Sequence, residues 1–175
     1  LVWNILPMAI LGICVGWIAA SIVSDKIVGL LVGIIALLFV LQHVVLKQTK
    51  ISLKTNTWAG HFWGLITGFT SFIAHAGGPP FQIYAMPLRL DPKVFTSSSV
   101  LIFSVLNFLK IGPYLALGRL NLNLTWSALT LMPVAICATL LGAAIVKKMN
   151  AEIFYPIMYG FLTLIALRLI FISVL

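Results

Sequence analysis

The sequence predicts an all-α membrane protein, a polytopic helix bundle of about five or six transmembrane segments in which one helix is broken or re-entrant. Hydrophobic residues make up 62% of the 175 residues and charged residues only 8%, whereas charged residues form roughly a quarter of a soluble domain. Most uncharged stretches approach or exceed the ~20 residues that cross ~30 Å of hydrocarbon. They are apolar throughout, which favours a helical bundle over a membrane β-barrel, whose strands alternate apolar and polar residues.

Taken in chain order, five apolar stretches each predict one helix. These predicted helices span residues 3–24, 27–46, 95–117, 126–146 and 153–175. Basic residues gather at the ends of the stretches and form no stripe, so the formal charge of +8 indicates membrane topology and lipid contact, not nucleic acid. The lipid bilayer is therefore the predicted surrounding of the chain.

The chain resembles itself when Pro7 is aligned with Pro133, because Gly16 then aligns with Gly142 and a second hydrophobic helix follows in each copy. Weak internal repeats are typical of transporters, whose substrate sites lie near the midplane where the repeats meet. We therefore interpret the chain as parts of two homologous repeats. The alternative is a chance match between segments of similar apolar composition.

The repeat divides the chain into two predicted parts. Residues 1–54 hold the last two helices of the first repeat, and residues 55–175 hold the second repeat. Under this interpretation the early helices of the first repeat would precede Leu1. Because the second repeat begins with a broken helix, we expect a sister break in that preceding segment.

Residues 58–88 form the stretch that predicts the broken helix. The whole uncharged stretch, residues 55–88, would be ~51 Å long as one continuous helix at 1.5 Å per residue, well beyond the hydrocarbon core. The interruption is the run Gly77, Gly78, Pro79 and Pro80, since glycine accepts turn conformations and proline lacks an N–H. Backbone groups freed at membrane depth must be buried in protein or line a watery cavity, and helix ends attract ions. We therefore predict that these four residues bind a small anionic substrate.

The alternative is an ordinary turn between a helix and a short interfacial segment. The positions of the basic residues bear on this choice. If residues 58–88 re-enter, seven Lys and Arg residues lie on one face of the membrane and two on the other, whereas a crossing divides them four and five. The positive-inside rule favours re-entry, with the seven-residue face in the cytoplasm.

Asn107, Lys110 and Tyr114 have the spacing of one helix face over two turns. An ionisable group deep in an apolar helix is costly and marks a functional site by default. We therefore predict that Lys110 holds the anion near the break, together with Asn107 and Tyr114. In the alternative, Lys110 extends to the membrane interface, since Gly112 and Pro113 can end the helix early.

Ser71 and His75 precede the break and are also candidate substrate-binding residues. His75 could donate a hydrogen bond to an anion or change charge near neutral pH, or it could hydrogen-bond the helix end. Ser71 could supply a hydroxyl, although such residues often bond the backbone of their own helix.

No enzymatic, cofactor or metal site is predicted. The acids Asp25, Asp91 and Glu152 all lie in turns, so no carboxylate pair is available for acid–base chemistry. His61 and His75 would be ~21 Å apart along one helix, too far to share a metal ion. A nucleotide-binding loop is also missing from the sequence. We therefore predict a protein that is not an enzyme and uses no cofactor.

One set of motifs resembles a known family. It reads Gly64-xxx-Gly68-Phe69-x-Ser71, then His75-Ala76-Gly77-Gly78-Pro79-Pro80-Phe81-Gln82-Ile83-Tyr84, then Asn107-xx-Lys110-xxx-Tyr114 with Gly118. This set resembles the second half of the TauE/SafE sulfite exporter family, and the resemblance covers essentially the whole chain. The family's first-half glycine-rich motif is not found in this sequence.

The resemblance implies a multi-pass permease of the cell membrane, of the bacterial inner-membrane type, built from two homologous halves. Its substrates would be sulfite, organosulfonates or related small sulfur-containing anions, moved by secondary, alternating-access transport. A coupling proton or cation and the oligomeric state are left open. The rival interpretation is a non-transporting assembly or sensor subunit whose broken helix serves only packing.

Overall fold

The computed structural model describes residues 1–45, 56–118 and 122–175. Within these ranges the chain forms seven α-helices, one short 3-10 helix and no strand. The helices are α1 (Val2–Ala19), α2 (Asp25–Val45), α3 (Thr57–Ile73), α4 (Gly78–Ala85), the 3-10 helix Met86–Leu88, α5 (Pro92–Ala116), α6 (Leu122–Lys148) and α7 (Ala151–Val174). Of these, α1, α2, α5, α6 and α7 are long and apolar enough to cross a membrane. The predicted all-α membrane fold is confirmed.

The five predicted helices all begin slightly earlier than the apolar pattern indicates, and at α5 and α7 a polar residue caps the start. At α5, Oδ1 of Asp91 accepts the N–H of Lys93 at 2.9 Å, so the helix starts before residue 95. At α7, Oδ1 of Asn150 accepts the N–H of Ile153 at 3.0 Å. Elsewhere, α1 ends at residue 19 and not 24, and α6 begins at residue 122 and not 126.

Helices α1 and α3 form a parallel pair in which backbones touch. A Cβ on Gly64 would meet the carbonyl of Ile5, and a Cβ on Gly68 would overlap the carbonyl oxygen of Ala9. Small residues allow such close approach between membrane helices, where dispersion contacts provide much of the association. The glycines of α3 therefore fix α1 against it.

Helices α2 and α7 form a second pair, which is antiparallel. Gly29 near the start of α2 faces Ser173 near the end of α7, and Gly33 faces Ala166. At the other end of the pair, the His43 ring stacks on Tyr159. Each end of this pair therefore joins the first turns of one helix to the last turns of the other.

The broken segment returns to the end of the bundle where it began. The hydroxyl of Tyr84, at the end of α4, donates to the carbonyl oxygen of Asn56, just before α3, at 3.1 Å. This hairpin agrees with the re-entry interpretation and not with a crossing. Lys47, Lys50, Lys54 and Arg119 of the basic-residue count, and the predicted repeat boundary at residues 54–55, lie outside the described residues.

The core lies where the α1–α3 pair meets α4, α5 and the α2–α7 pair. Its largest fully buried side chains include Phe72, Phe81, Ile102 and Tyr155. Helix α6 is different, because its membrane-length stretch, Leu129–Lys148, has no buried residue and its main neighbour among the described helices is α5. The described residues thus place the break inside the bundle and α6 at its edge.

Candidate functional site

The break between α3 and α4 covers residues 74–77 and reverses the chain. The N–H groups of Ala74 and Ala76 both donate to the carbonyl oxygen of Thr70, at 3.0 and 3.1 Å. His75 lies between them with a φ of 52°, in the left-handed region that non-glycine residues adopt at a cost. Helix α3 therefore ends in a fixed turn.

The start of α4 has fewer donors than an ordinary helix start. Pro79 and Pro80 lie in its first turn and have no N–H. The N–H of Phe81 already donates to the carbonyl oxygen of Gly77 at 3.3 Å. Because a helix start attracts anions mainly through its first N–H groups, side-chain cations must supply most of the attraction for an anion here.

The side chain of Lys110 caps the C-terminal end of α3. Lys110 is 4% exposed, and its Nζ donates to the carbonyl oxygen and Oγ of Ser71, both at 2.7 Å, and to Oδ1 of Asn107 at 3.4 Å. An ammonium has three donor protons, so each has an acceptor. The last carbonyls of a helix lack partners within the helix and carry partial negative charge, which favours a cation at this position. Lys110 therefore does not extend to the membrane interface.

Tyr114, one turn after Lys110, satisfies the next carbonyl of α3. Its hydroxyl donates to the carbonyl oxygen of Phe72 at 2.8 Å, and the two rings lie 5.0 Å apart. The same hydroxyl lies 3.4 Å from Nε2 of His75. The spacing predicted that Asn107, Lys110 and Tyr114 share one face of α5. In the structure, Lys110 and Tyr114 on this face donate hydrogen bonds to the last carbonyls of α3.

The two glycines of the Gly-Gly-Pro-Pro run face different environments. A Cβ on Gly77 would lie 2.6 Å from the Cβ of Ser71 and 2.8 Å from the carbonyl oxygen of Thr67, so the site requires glycine. A Cβ on Gly78 would meet nothing within 4 Å. The break is therefore packed against α3 on one side and open at Gly78 on the other.

Gly78 lies in the wall of a cleft of about 480 Å³ between the break, the start of α2 and the end of α7. We call it the break cleft; its polar and glycine lining includes Asp25, Lys26, His75, Gly78, Arg168 and Ser173. Among the described residues, no carboxylate lies within ion-pair distance of Lys26 or Arg168. Oδ1 of Asp25 accepts the backbone N–H of Lys26 at 2.9 Å. With one lysine, one arginine and one acid in its lining, the cleft has an excess of basic side chains.

Comparison with known proteins gives one match. A protein-family model described as Sulfite exporter TauE/SafE matches residues 1–169. The chain belongs to the TauE/SafE family. No curated protein and no solved structure matches it. This family consists of membrane transporters of sulfite and related sulfur anions and not of enzymes, and the five membrane-length helices agree with that class.

In this TauE/SafE family member, the predicted substrate-binding residues surround the break but lie in two environments. His75, Gly78 and Pro79 line the break cleft. The other six do not line it, and they are Ser71, Gly77, Pro80, Asn107, Lys110 and Tyr114. The hydrogen bonds of Lys110 and Tyr114 indicate that this second group shapes the break from its packed side.

Sequence reasoning does not identify the cations of the break cleft. Lys26 lies in a predicted turn and Arg168 lies more than 140 positions later in the chain, so only the packing of α2 on α7 brings them together. The sequence signal that could have identified Arg168 was its position as a charged residue inside an apolar predicted helix.

Thr67 was also missed, and its fully buried hydroxyl has no hydrogen-bond partner among the described residues. Within the same residues, no three His, Cys, Asp or Glu side chains could hold a metal ion.

Proposed function

We propose that this TauE/SafE family member transports a small anion, such as sulfite or an organosulfonate, across the cell membrane by alternating access. The observation that carries the proposal is the break cleft. Its volume of about 480 Å³ lies in the usual range for small-molecule sites. It combines the open backbone of the break at Gly78 with two side-chain cations, Lys26 and Arg168.

Charge and hydrogen bonding support an anionic substrate. A guanidinium presents planar paired donors that match an oxyanion, and an ammonium adds a second positive charge. Arg168 and Lys26 supply these groups in the break cleft, and His75 adds a ring that can donate. The proposal assigns substrate contact to these residues and to Gly78 and Pro79.

The packed side of the break has a positioning role in this proposal. Lys110 and Tyr114 hold the carbonyls of Ser71 and Phe72, so the turn at His75 keeps its shape when the cleft fills or empties. Direct contact between Lys110 and the anion would require the anion to replace one of three oxygen acceptors.

Sulfite flux into liposomes containing the purified protein tests the proposal. Losing a hydrogen bond to a charged group costs about 1.5–3 kcal/mol, so Arg168→Gln should lower the subsaturating flux by roughly tenfold or more. Lys148→Gln, an exposed change at the end of α6, should keep it.

Equal flux in Arg168→Gln and the unchanged protein would exclude the break cleft as the substrate site. Sulfite binding with no flux for any sulfur anion would exclude transport and favour the sensor interpretation.

A further inference from the structure

A second cleft lies at the opposite end of the α2–α7 pair. It has a volume of about 490 Å³, close to that of the break cleft. We call it the Arg89 cleft; its lining includes Val40, His43, Arg89, Tyr155, Tyr159 and Thr163. Because α2 and α7 are antiparallel, this cleft joins the end of α2 to the start of α7, whereas the break cleft joins the start of α2 to the end of α7.

Arg89 is held in place by the chain on both sides of it. It ends the 3-10 helix with a φ of 48°, in the left-handed region that non-glycine residues adopt at a cost. Its Cζ lies 4.8 Å from the centre of the Tyr155 ring. Tyr155 is fully buried, and its hydroxyl donates to the carbonyl oxygen of Leu90 at 2.8 Å. The guanidinium therefore has a defined position in the cleft wall.

The guanidinium donors of Arg89 have no acceptor among the described residues. A ring face attracts the cation but leaves the five in-plane N–H donors unsatisfied. No carboxylate is among the described residues that line the cleft, and Asp91 nearby in sequence accepts the N–H of Lys93. A half-buried guanidinium without an acceptor, beside a cavity, is suited to bind an oxyanion.

His43 is placed to contribute to the same site. Its ring stacks on Tyr159 with centres 3.9 Å apart and planes at 8°, so the ring orientation is fixed while both nitrogens lie in the ring plane. No hydrogen bond to these nitrogens is found within the described part of the chain. A histidine next to an arginine can donate to an anion.

We propose that the Arg89 cleft binds a small oxyanion of the same class as the substrate, with Arg89 as its main ligand and His43 as a second donor. This inference rests on the proposed function, since it gives the α2–α7 pair an anion site at each of its two ends. A lipid phosphate has the same oxyanion chemistry, so the experiment must separate the free anion from a lipid headgroup.

Three histidines allow both clefts to be observed in one titration. In protein labelled with 15N at histidine, His43 reports on the Arg89 cleft and His75 on the break cleft, whereas His61 lines neither. Sodium sulfite is titrated at fixed pH in a neutral detergent, with chloride replaced to keep the ionic strength constant. We expect saturable shifts at His43 and His75 and none at His61.

Arg89 variants assign the shift at His43 to the cleft. Arg89→Gln should weaken the sulfite affinity measured at His43 by about tenfold or more, since a charge-assisted contact is lost, while the shift at His75 is unchanged. Arg89→Lys, which keeps the charge without the planar donors, should give an intermediate affinity. Unchanged His61 and His75 signals before sulfite is added show that each variant is folded.

The outcomes separate this inference from the proposed function. A shift at His75 without one at His43, or equal His43 affinities in Arg89→Gln and the unchanged protein, would overturn the Arg89 site and leave transport intact. A shift at His43 only with phosphatidylglycerol, and not with sulfite, would also overturn it in favour of a headgroup site. A shift at His43 without one at His75 would count against the break cleft alone.

Discussion

Lys110 is a charged side chain in an apolar helix, and hydrogen bonds to neighbouring oxygens offset the free-energy cost of burying it. Its ammonium meets two oxygens of Ser71 at 2.7 Å and Oδ1 of Asn107, at the negative end of α3. Buried ionisable groups in membrane helices are tolerated when they are paired in this way. Tyr114 repeats the arrangement one turn later with the carbonyl of Phe72. The two side chains replace the helical hydrogen bonds that the break removes.

Replacing these side chains should therefore lower stability in a graded way. Lys110→Met leaves the oxygens of Ser71 buried without a donor, so the free energy of unfolding should fall by about 1–3 kcal/mol. Tyr114→Phe removes one hydrogen bond from the buried carbonyl of Phe72 and should cost about 1 kcal/mol. Lys148→Met, at an exposed position, is the control in denaturant unfolding of the protein in micelles. Lost sulfite flux with unchanged stability in Lys110→Met would instead assign Lys110 to the anion.

At the scale of elements, glycine positions decide which helices can touch. The α1–α3 pair brings backbone to backbone at Gly64 and Gly68, whereas a Cβ on Gly160 of α7 would meet nothing within 4 Å. In membranes, close packing rather than a hydrophobic force between helices stabilises such pairs. The position of the break relative to α1 therefore depends on the small residues of α3.

A matched pair of glycine substitutions tests this dependence. Gly68→Ala must displace the backbone at Ala9 and should destabilise the protein by about 1–3 kcal/mol through overpacking. Gly160→Ala has space and gains helix propensity, so it should be neutral or stabilising by up to about 1 kcal/mol. Thermal unfolding in detergent compares the two, and equal midpoints would contradict the close α1–α3 contact.

At the scale of the whole molecule, the distribution of basic residues between the two ends of the bundle agrees with the re-entrant topology. The end of the bundle with the Arg89 cleft carries Arg89, Lys93, Lys147 and Lys148, and the other end carries Lys26 and Arg168. The positive-inside rule therefore predicts that the Arg89 cleft opens to the cytoplasm and the break cleft to the opposite side. Helix α1 runs parallel to α3 and α6 runs the other way, as an inverted repeat requires. The homologous repeats themselves stay a prediction.

Cysteine labelling from each side of the membrane tests the topology. In a background with Cys14→Ala and Cys137→Ala, Asp91→Cys and Lys148→Cys should react from the cytoplasmic side only. Ser24→Cys, before α2 and exposed, should react from the other side only. Labelling of Asp91→Cys and Ser24→Cys from one common side would rule out the re-entrant hairpin.

Much of the site was predictable because its signals are local. Two glycines followed by two prolines stop a helix wherever they occur, and the spacing of Asn107, Lys110 and Tyr114 places them on one helix face. The sequence could not predict that Lys110 would find its acceptors on Ser71, 39 residues earlier. From the sequence alone, Lys110 was available to bind an anion. In the folded chain, each proton of its ammonium group already has an oxygen acceptor.

The sequence by itself determined that the chain is a membrane bundle of the TauE/SafE family and that its helix over residues 58–88 breaks at residues 77–80. These properties follow from hydrophobic length, composition and backbone chemistry, which need no tertiary contacts. Only the tertiary structure decided which side of the break is open, and that Lys26 and Arg168 line one cleft while Arg89 and His43 line another. The physical reason is that each cleft forms between helices distant in sequence, so its charge depends on how α2 and α7 pack.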